Sequence, residues 1–191
     1  MPNPNRKGLP AGTSNPTDIS KNTEEIQGNA RLQLGTSTKD SAKNYPVTDK
    51  WALVIGISSF KDPDINLKFA AKDASDFANF LTSKAGFSKD HVRLLLNGQA
   101  TREGIIQNLG TKWLGHLAAP DDLVVVYVSS HGSTSMVKAD GVNFLVAYDT
   151  QPTALLSTGI PMQWFSQMIK EQVHSNRVVL ILDVCHSGAA T

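Results

Sequence analysis

The chain has 191 residues, enough for one ordinary domain with a buried core. Its 18 basic and 17 acidic residues nearly cancel, so no basic surface favours nucleic acid or an anionic membrane as a partner. A single cysteine excludes an intrachain disulfide, no apolar stretch approaches the roughly 18–20 residues of a membrane span, and the N-terminus lacks the apolar core of a signal peptide. We therefore expect a soluble cytoplasmic protein.

Residues 1–50 differ in composition from the rest of the chain. They hold five of the nine prolines and one aromatic residue, Tyr45, and they show no sustained apolar period. Such a segment buries too little apolar surface to offset the entropy lost on ordering. We predict a disordered polar leader over 1–50 and one folded domain over 51–191.

From Trp51 onward, apolar residues recur with the periods of strands and helices. In the second helix, for instance, Ile105, Leu109 and Trp113 fall on one face. The alternation of strands and helices predicts a three-layer α/β domain with a mainly parallel sheet. The predicted elements are a strand over Trp51–Ser58, a helix over Leu67–Lys84, a strand over His91–Leu96, a helix from Thr101 to about Leu117, a strand over Asp122–Ser130, a long irregular segment over 132–149 in which Asp140-Gly141 suits the turn of a hairpin, a helix from Pro161 to about Val173, and a strand over Arg177–Val184.

Two of these apolar strands stop at a reactive side chain. His131 follows one of them, and Cys185, the only cysteine, follows the last one. Parallel strands present their carboxyl ends at one edge of the sheet, where ligands bind. The two positions are 54 residues apart, which corresponds to one strand, helix and strand unit, so we expect neighbouring strand ends. The pair is typical of a thiolate nucleophile with an imidazole base, although a lone Cys is more often a small core residue and a lone His a structural one.

Residues near this pair lie on the same strand faces. Since side chains two apart share a face, Asp183 lies with Cys185 and Ser129 lies with His131. A carboxylate there needs a cation, either a Lys or Arg of the fold or a basic substrate side chain, and both readings stay open. Gly132 is either a plain turn glycine or, through its N–H and that of Cys185, part of an oxyanion hole.

Around these residues the chain resembles the caspase-like cysteine peptidases. The triplet Asp183-Val184-Cys185 is similar to the metacaspase and orthocaspase branch, since animal caspases typically carry Gln-Ala-Cys. The resemblance covers about residues 50–191. Its segments, in family order, are WALVIGI at 51–57, LKFAAKDA at 67–74, VSSHG at 128–132, DGVNFLVAYD at 140–149 and DVCHSG at 183–188.

The resemblance implies a caspase-like α/β/α fold and an endopeptidase that cuts after Arg or Lys through a thioester. It implies no cofactor and no metal ligand in the site. Calcium activation is an alternative, but Asp140 and Asp149 are isolated and give it little support. The implied site residues are His131 as general base, Cys185 as nucleophile, Gly132 with Cys185 as the oxyanion hole, and Asp73, Ser129 and Asp183 as the pocket for the basic side chain.

The family fold continues with small-subunit strands beyond the region that this chain matches. We therefore expect a C-terminal small-subunit region or chain as a partner, unless the chain is a truncated product or a stand-alone regulatory fragment. The alternative to a peptidase is a catalytically incomplete regulatory or interaction module that lacks the small subunit. A phospho-receiver domain would need clustered acids after the first strand, where Gly56-Ile57-Ser58-Ser59 supplies none.

Overall fold

The computed structural model describes residues 46–134 and 142–186, with backbone only for Thr134, Cys185 and His186. The leader predicted over 1–50 therefore lies almost wholly outside the described residues, as does Asp140. The helices and strands are β1 (Lys50–Gly56), α1 (Ala70–Ser83), β2 (Val92–Leu96), α2 (Arg102–Leu109), α3 (Leu114–Leu117), β3 (Leu123–Thr134), β4 (Asn143–Leu145), α4 (Leu155–Thr158), β5 (Ile160–Pro161), α5 (Met162–Gln172) and β6 (Arg177–His186).

The sheet is parallel at its centre and antiparallel at one end. β1 lies between β2 and β3, β6 joins the opposite edge of β3, and all of these strands run in parallel. β4 and β5 then add antiparallel pairing beyond the end of β1. One apolar cluster lies between the sheet and α2, α3 and α5, and a second lies between the sheet and α1. The predicted α/β fold with a mainly parallel sheet is confirmed.

The first helix packs tightly on the end of β1. A Cβ added at Gly56 would lie 2.4 Å from Cβ of Ala74 and 2.7 Å from the carbonyl oxygen of Ala70. Only glycine permits this approach. The helix begins at Ala70, three residues later than predicted, because Leu67 instead donates its backbone N–H to the carbonyl of Ser58 at 2.8 Å.

Two sequence predictions of secondary structure are wrong. The helix predicted from Thr101 to Leu117 is broken: α2 ends at Leu109, and Gly110 has φ −93° and ψ −124°, outside the helical region. The buried Trp113 of that predicted face lies between α2 and α3. The segment over 132–149 is less irregular than predicted, because β3 runs on to Thr134 and pairs antiparallel with β4; the hairpin turn predicted at Asp140-Gly141 lies outside the described residues. A three-residue strand is too short to show a sequence period.

The last strand is less buried than its apolar sequence predicts. β3 has a continuous run of buried residues from Val124 to Ser130, as expected of a strand covered on both faces. β6 pairs with β3 at every position, but within the described residues nothing pairs with its other edge. Val179 and Leu182 consequently remain 45% and 40% exposed.

No helix in the described part of the chain has the length and hydropathy to cross a membrane.

Candidate active site

The register between β3 and β6 brings the predicted pair together. His131 is the Cα partner of Cys185, and two residues earlier Ser129 is the partner of Asp183. Neighbouring strands lie about 4.8 Å apart, so residues opposite each other in adjacent parallel strands are side by side. The backbone thus places the four predicted positions at the carboxyl ends of two adjacent strands. The side chain of Cys185 is among those that the structure does not describe.

A backbone carbonyl orients the imidazole of His131. Its Nε2 lies 2.8 Å from the carbonyl oxygen of Ile65, in the turn after β1, and its ring centroid lies 5.4 Å from that of Phe60. Because a carbonyl oxygen only accepts, Nε2 carries a proton and donates it in this contact. This orienting contact could not be predicted, since a main-chain carbonyl leaves no mark in the sequence.

Side-chain amides hold the loop that carries this carbonyl. Asn66 accepts a hydrogen bond from the backbone N–H of Phe60 at 2.8 Å. Asn97, at the end of β2, accepts from the N–H groups of Ser58 and Ser59 at 2.9 and 3.0 Å, and it does so with φ +49°, a left-handed conformation that asparagine tolerates. Asn97 thus holds the start of the loop from the neighbouring strand end, a role that no sequence motif indicated.

The pairing of β3 with its neighbouring strands determines the direction of the Gly132 N–H group. The carbonyls of Ser129 and His131 accept from Ile57 and Val146, on the edge that faces β1 and β4. Because backbone groups of successive strand residues point to alternate edges, the N–H of Gly132 points toward β6. Its Cα partner there is His186, the residue after Cys185. The predicted oxyanion donor therefore faces the strand of the predicted nucleophile.

The predicted pocket residues line one cavity, which we call the carboxylate cavity. It has a volume of about 270 Å³, and its lining includes Asp73, Ser129, His131 and Asp183. Ser129 is buried and donates its hydroxyl to Oδ2 of Asp183 at 3.0 Å, whereas Asp73 lies in the first turn of α1. Both carboxylates are exposed, and the exposed Lys68 lies at the cavity wall.

Neither carboxylate of the cavity has a basic partner in the described part of the chain. Lys72, next to Asp73, instead forms an ion pair with Asp76 one turn along α1, and the hydrogen bond to Asp76 raises the pKa of Lys72. The same described residues contain no group of three or more His, Cys, Asp or Glu that could hold a metal ion.

A buried tyrosine lies beneath the cavity. Tyr127 is 8% exposed and stacks on Phe77 of α1 with ring centroids 4.6 Å apart. Burial raises the pKa of Tyr127, and the nearby charges of Asp183 and Asp73 add to the shift, which the hydrogen bond with Ser129 opposes. The phenol is therefore neutral at physiological pH.

Comparison with known proteins identifies relatives of this domain. A metacaspase-1 of Saccharomyces cerevisiae is 28% identical over 150 residues, which cover 72% of this chain and 33% of that protein. A metacaspase-1 of Meyerozyma guilliermondii is 28% identical over 152 residues, 74% of this chain and 36% of the relative. The chain thus spans about a third of the length of the curated relatives that it matches.

The fold has a counterpart among solved structures. Protein GSU0716 from Geobacter sulfurreducens matches with a TM-score of 0.57 and 23% identity, over 74% of this chain and 52% of that one. At this identity the likeness concerns the fold alone. The model of the caspase domain matches residues 49–191, about three quarters of the chain. The relatives to which this chain is similar are metacaspases, and the chain itself belongs to the caspase-domain family.

Proposed function

We propose that the protein is a cysteine endopeptidase that cleaves after Arg or Lys through a dyad of Cys185 and His131. The observation that carries the proposal is the register of β3 and β6, in which His131 and Cys185 are direct partners. An imidazole beside a thiol stabilises the thiolate, which is the reactive form. The hydrogen bond from Nε2 to the carbonyl of Ile65 supports this assignment, because it fixes the orientation of the imidazole.

The proposed reaction proceeds through a thioester. The Cys185 thiolate attacks the carbonyl carbon of the basic residue, a C–S bond forms, and the oxyanion is held by the N–H groups of Gly132 and Cys185. The C–N bond then breaks, and the amine takes a proton from His131. In the second step water gives a proton to His131 and attacks the thioester, and the C–S bond breaks to release the acid and restore the thiolate.

The carboxylate cavity supports the preference for a basic side chain. Asp73 and Asp183 lie in its wall beside His131, and Ser129 orients one of the two carboxylates. A guanidinium can engage a carboxylate through two parallel hydrogen bonds, whereas an acidic side chain would be repelled. The exposed ammonium of Lys68 can turn outward to solvent, since a lysine has a long flexible stem.

The open edge of β6 supports a further strand as the structural partner of this domain. The exposed Val179 and Leu182 lie on this strand, and a groove of about 550 Å³ between α5 and β6 is lined by Ile169, Val173 and Leu180. An apolar strand edge is an association hazard unless it is covered. We propose that small-subunit strands of the complete polypeptide, or of a separate chain, pair with this edge and complete the substrate cleft.

The proposed chemistry uses no cofactor, since thiolate, imidazole and backbone N–H groups supply every step. Calcium would act only away from these groups. The test is hydrolysis with and without a chelator such as EGTA: an unchanged rate is expected, and loss of activity that calcium restores would contradict the proposal.

Peptide–coumarin substrates test the proposed function. The full-length polypeptide is assayed on matched peptides with Arg, Lys or Asp before the coumarin, and so are its Cys185→Ala and His131→Ala variants. We expect hydrolysis after Arg and Lys and none after Asp, with both variants inactive. Hydrolysis only after Asp would reject the basic pocket, and full activity of Cys185→Ala would reject the mechanism.

A further inference from the structure

A second cavity adjoins His131, and the proposed mechanism does not use it. This cavity, which we call the apolar cavity, has a volume of about 350 Å³. It shares His131 with the carboxylate cavity, but its other lining residues differ. Four of them are apolar, and Asp64 and Ser133 are among the polar ones. The apolar lining residues are Ile65, Val146, Pro152 and Leu155.

The topology places the apolar cavity on the side of His131 that is remote from the nucleophile. Gly132 pairs with His186 on one edge of β3 and with Leu145 on the other, so β6 and β4 lie on opposite edges. Val146 follows β4 and donates its N–H to the carbonyl of His131 at 3.0 Å. The imidazole of His131 therefore lies between the strand of Cys185 and the wall of the apolar cavity.

We propose that the apolar cavity binds the residue that follows the scissile bond and selects an apolar side chain there. The inference rests on the proposed function. In that reaction the acyl half of the substrate becomes bonded to Cys185, with its basic side chain in the carboxylate cavity. The amine half takes its proton from His131, so it leaves across the imidazole. The first side chain on that path meets the apolar cavity.

The walls of the cavity define which side chain fits. Ile65 and Leu155 are half-buried and offer aliphatic contact, so leucine or valine gains more than alanine. A difference of a few methylene groups in an apolar pocket changes kcat/KM by about ten-fold or more. Asp64 is exposed at the rim and repels a carboxylate, so aspartate at this substrate position is the least favoured of the three types.

Internally quenched peptides test the subsite on the full-length polypeptide. Each peptide has Arg before the bond and Leu, Ala or Asp after it. We expect kcat/KM to be about ten-fold higher for Leu than for Ala and lowest for Asp. In Leu155→Ala the ratio of Leu to Ala falls toward one. Leu156→Ala is the matched control, because Leu156 is the next residue, is 68% exposed and does not line the cavity.

A second variant tests the subsite even if Leu155→Ala does not fold. Asp64→Asn removes an exposed charge, and we expect it to raise kcat/KM for the Asp peptide while leaving the Leu peptide unchanged. Equal rates for all three peptides, or a Leu to Ala ratio that Leu155→Ala leaves intact, would overturn the subsite and leave the proposed function standing. If no Arg peptide is cut whatever follows it, the proposed function fails, and the subsite fails with it.

Discussion

Replacing Asp183 with asparagine tests how the carboxylate cavity would recognise a basic side chain. The change keeps the shape of the residue, and an asparagine oxygen can still accept the hydrogen bond from Ser129, 3.0 Å from Oδ2 in the native protein. Only the negative charge is lost. A hydrogen bond to a charged group contributes about 1.5–3 kcal/mol. Since Asp183 is exposed, solvent screens the charge, and we take the lower part of that range, about 1.5–2 kcal/mol.

That loss corresponds to a fall of about 10–30-fold in kcat/KM for an Arg peptide, because about 1.4 kcal/mol is a factor of ten. The assay compares peptide–coumarins with Arg and with citrulline, its uncharged isostere, before the coumarin. The variant should lose most of the preference for Arg over citrulline. Asp76→Asn is the matched control, since Asp76 lies on the same helix as Asp73, pairs with Lys72 and does not line the cavity. An unchanged Arg preference in Asp183→Asn would refute the reasoning.

Three further predictions concern the scaffold and its titration. Gly56→Ala should lower the free energy of unfolding, measured in urea, by about 1–3 kcal/mol, because the new Cβ would lie 2.4 Å from that of Ala74. The control is Gly98→Ala, which should change this free energy little because the nearest atom to its new Cβ is 3.8 Å away. Equal effects of the two substitutions would contradict the packing argument. Asn66→Ala removes the hydrogen bond that holds the loop beside the imidazole of His131, so under the proposed mechanism kcat should fall about ten-fold with a shifted pH–rate profile. A fall without any shift would mean a purely structural role. Burial raises the pKa of Tyr127 above the ordinary tyrosine value of about 10. The stabilisation from the neutral phenol is therefore complete below about pH 10 and is lost as the pH rises further. Tyr127→Phe should lack this loss, and identical alkaline unfolding of both proteins would contradict it.

The parts of the fold that could be predicted are those with a strong local pattern. The uninterrupted apolar runs before His131 and Cys185 predicted β3 and β6 in parallel, and their register is the one expected of neighbouring strand ends. The break at Gly110 was not predicted, because the apolar spacing of Ile105, Leu109 and Trp113 continues across it. A regular period on one face does not require one continuous helix when tertiary packing buries the same residues.

The strand positions of the candidate side chains could be predicted from the sequence, whereas the contributions of backbone groups to the candidate site could not. The positions of Asp183 and Ser129 follow from strand alternation, and the structure has them as direct partners. The carbonyl of Ile65 and the bracing of its loop by Asn97 depend on where a connection folds back, which no local pattern encodes. The apolar cavity likewise needs β4, whose three residues were too few to predict.

Covalent labelling tests the central claim most directly. The full-length polypeptide is treated with a peptidyl acyloxymethyl ketone that ends in arginine, and with its aspartate counterpart, and the modified residue is mapped by mass spectrometry. We predict a thioether on Cys185 from the arginine reagent alone, with labelling slowed strongly in His131→Ala. Labelling that ignores the arginine, or that is equally fast without the imidazole of His131, would contradict the account.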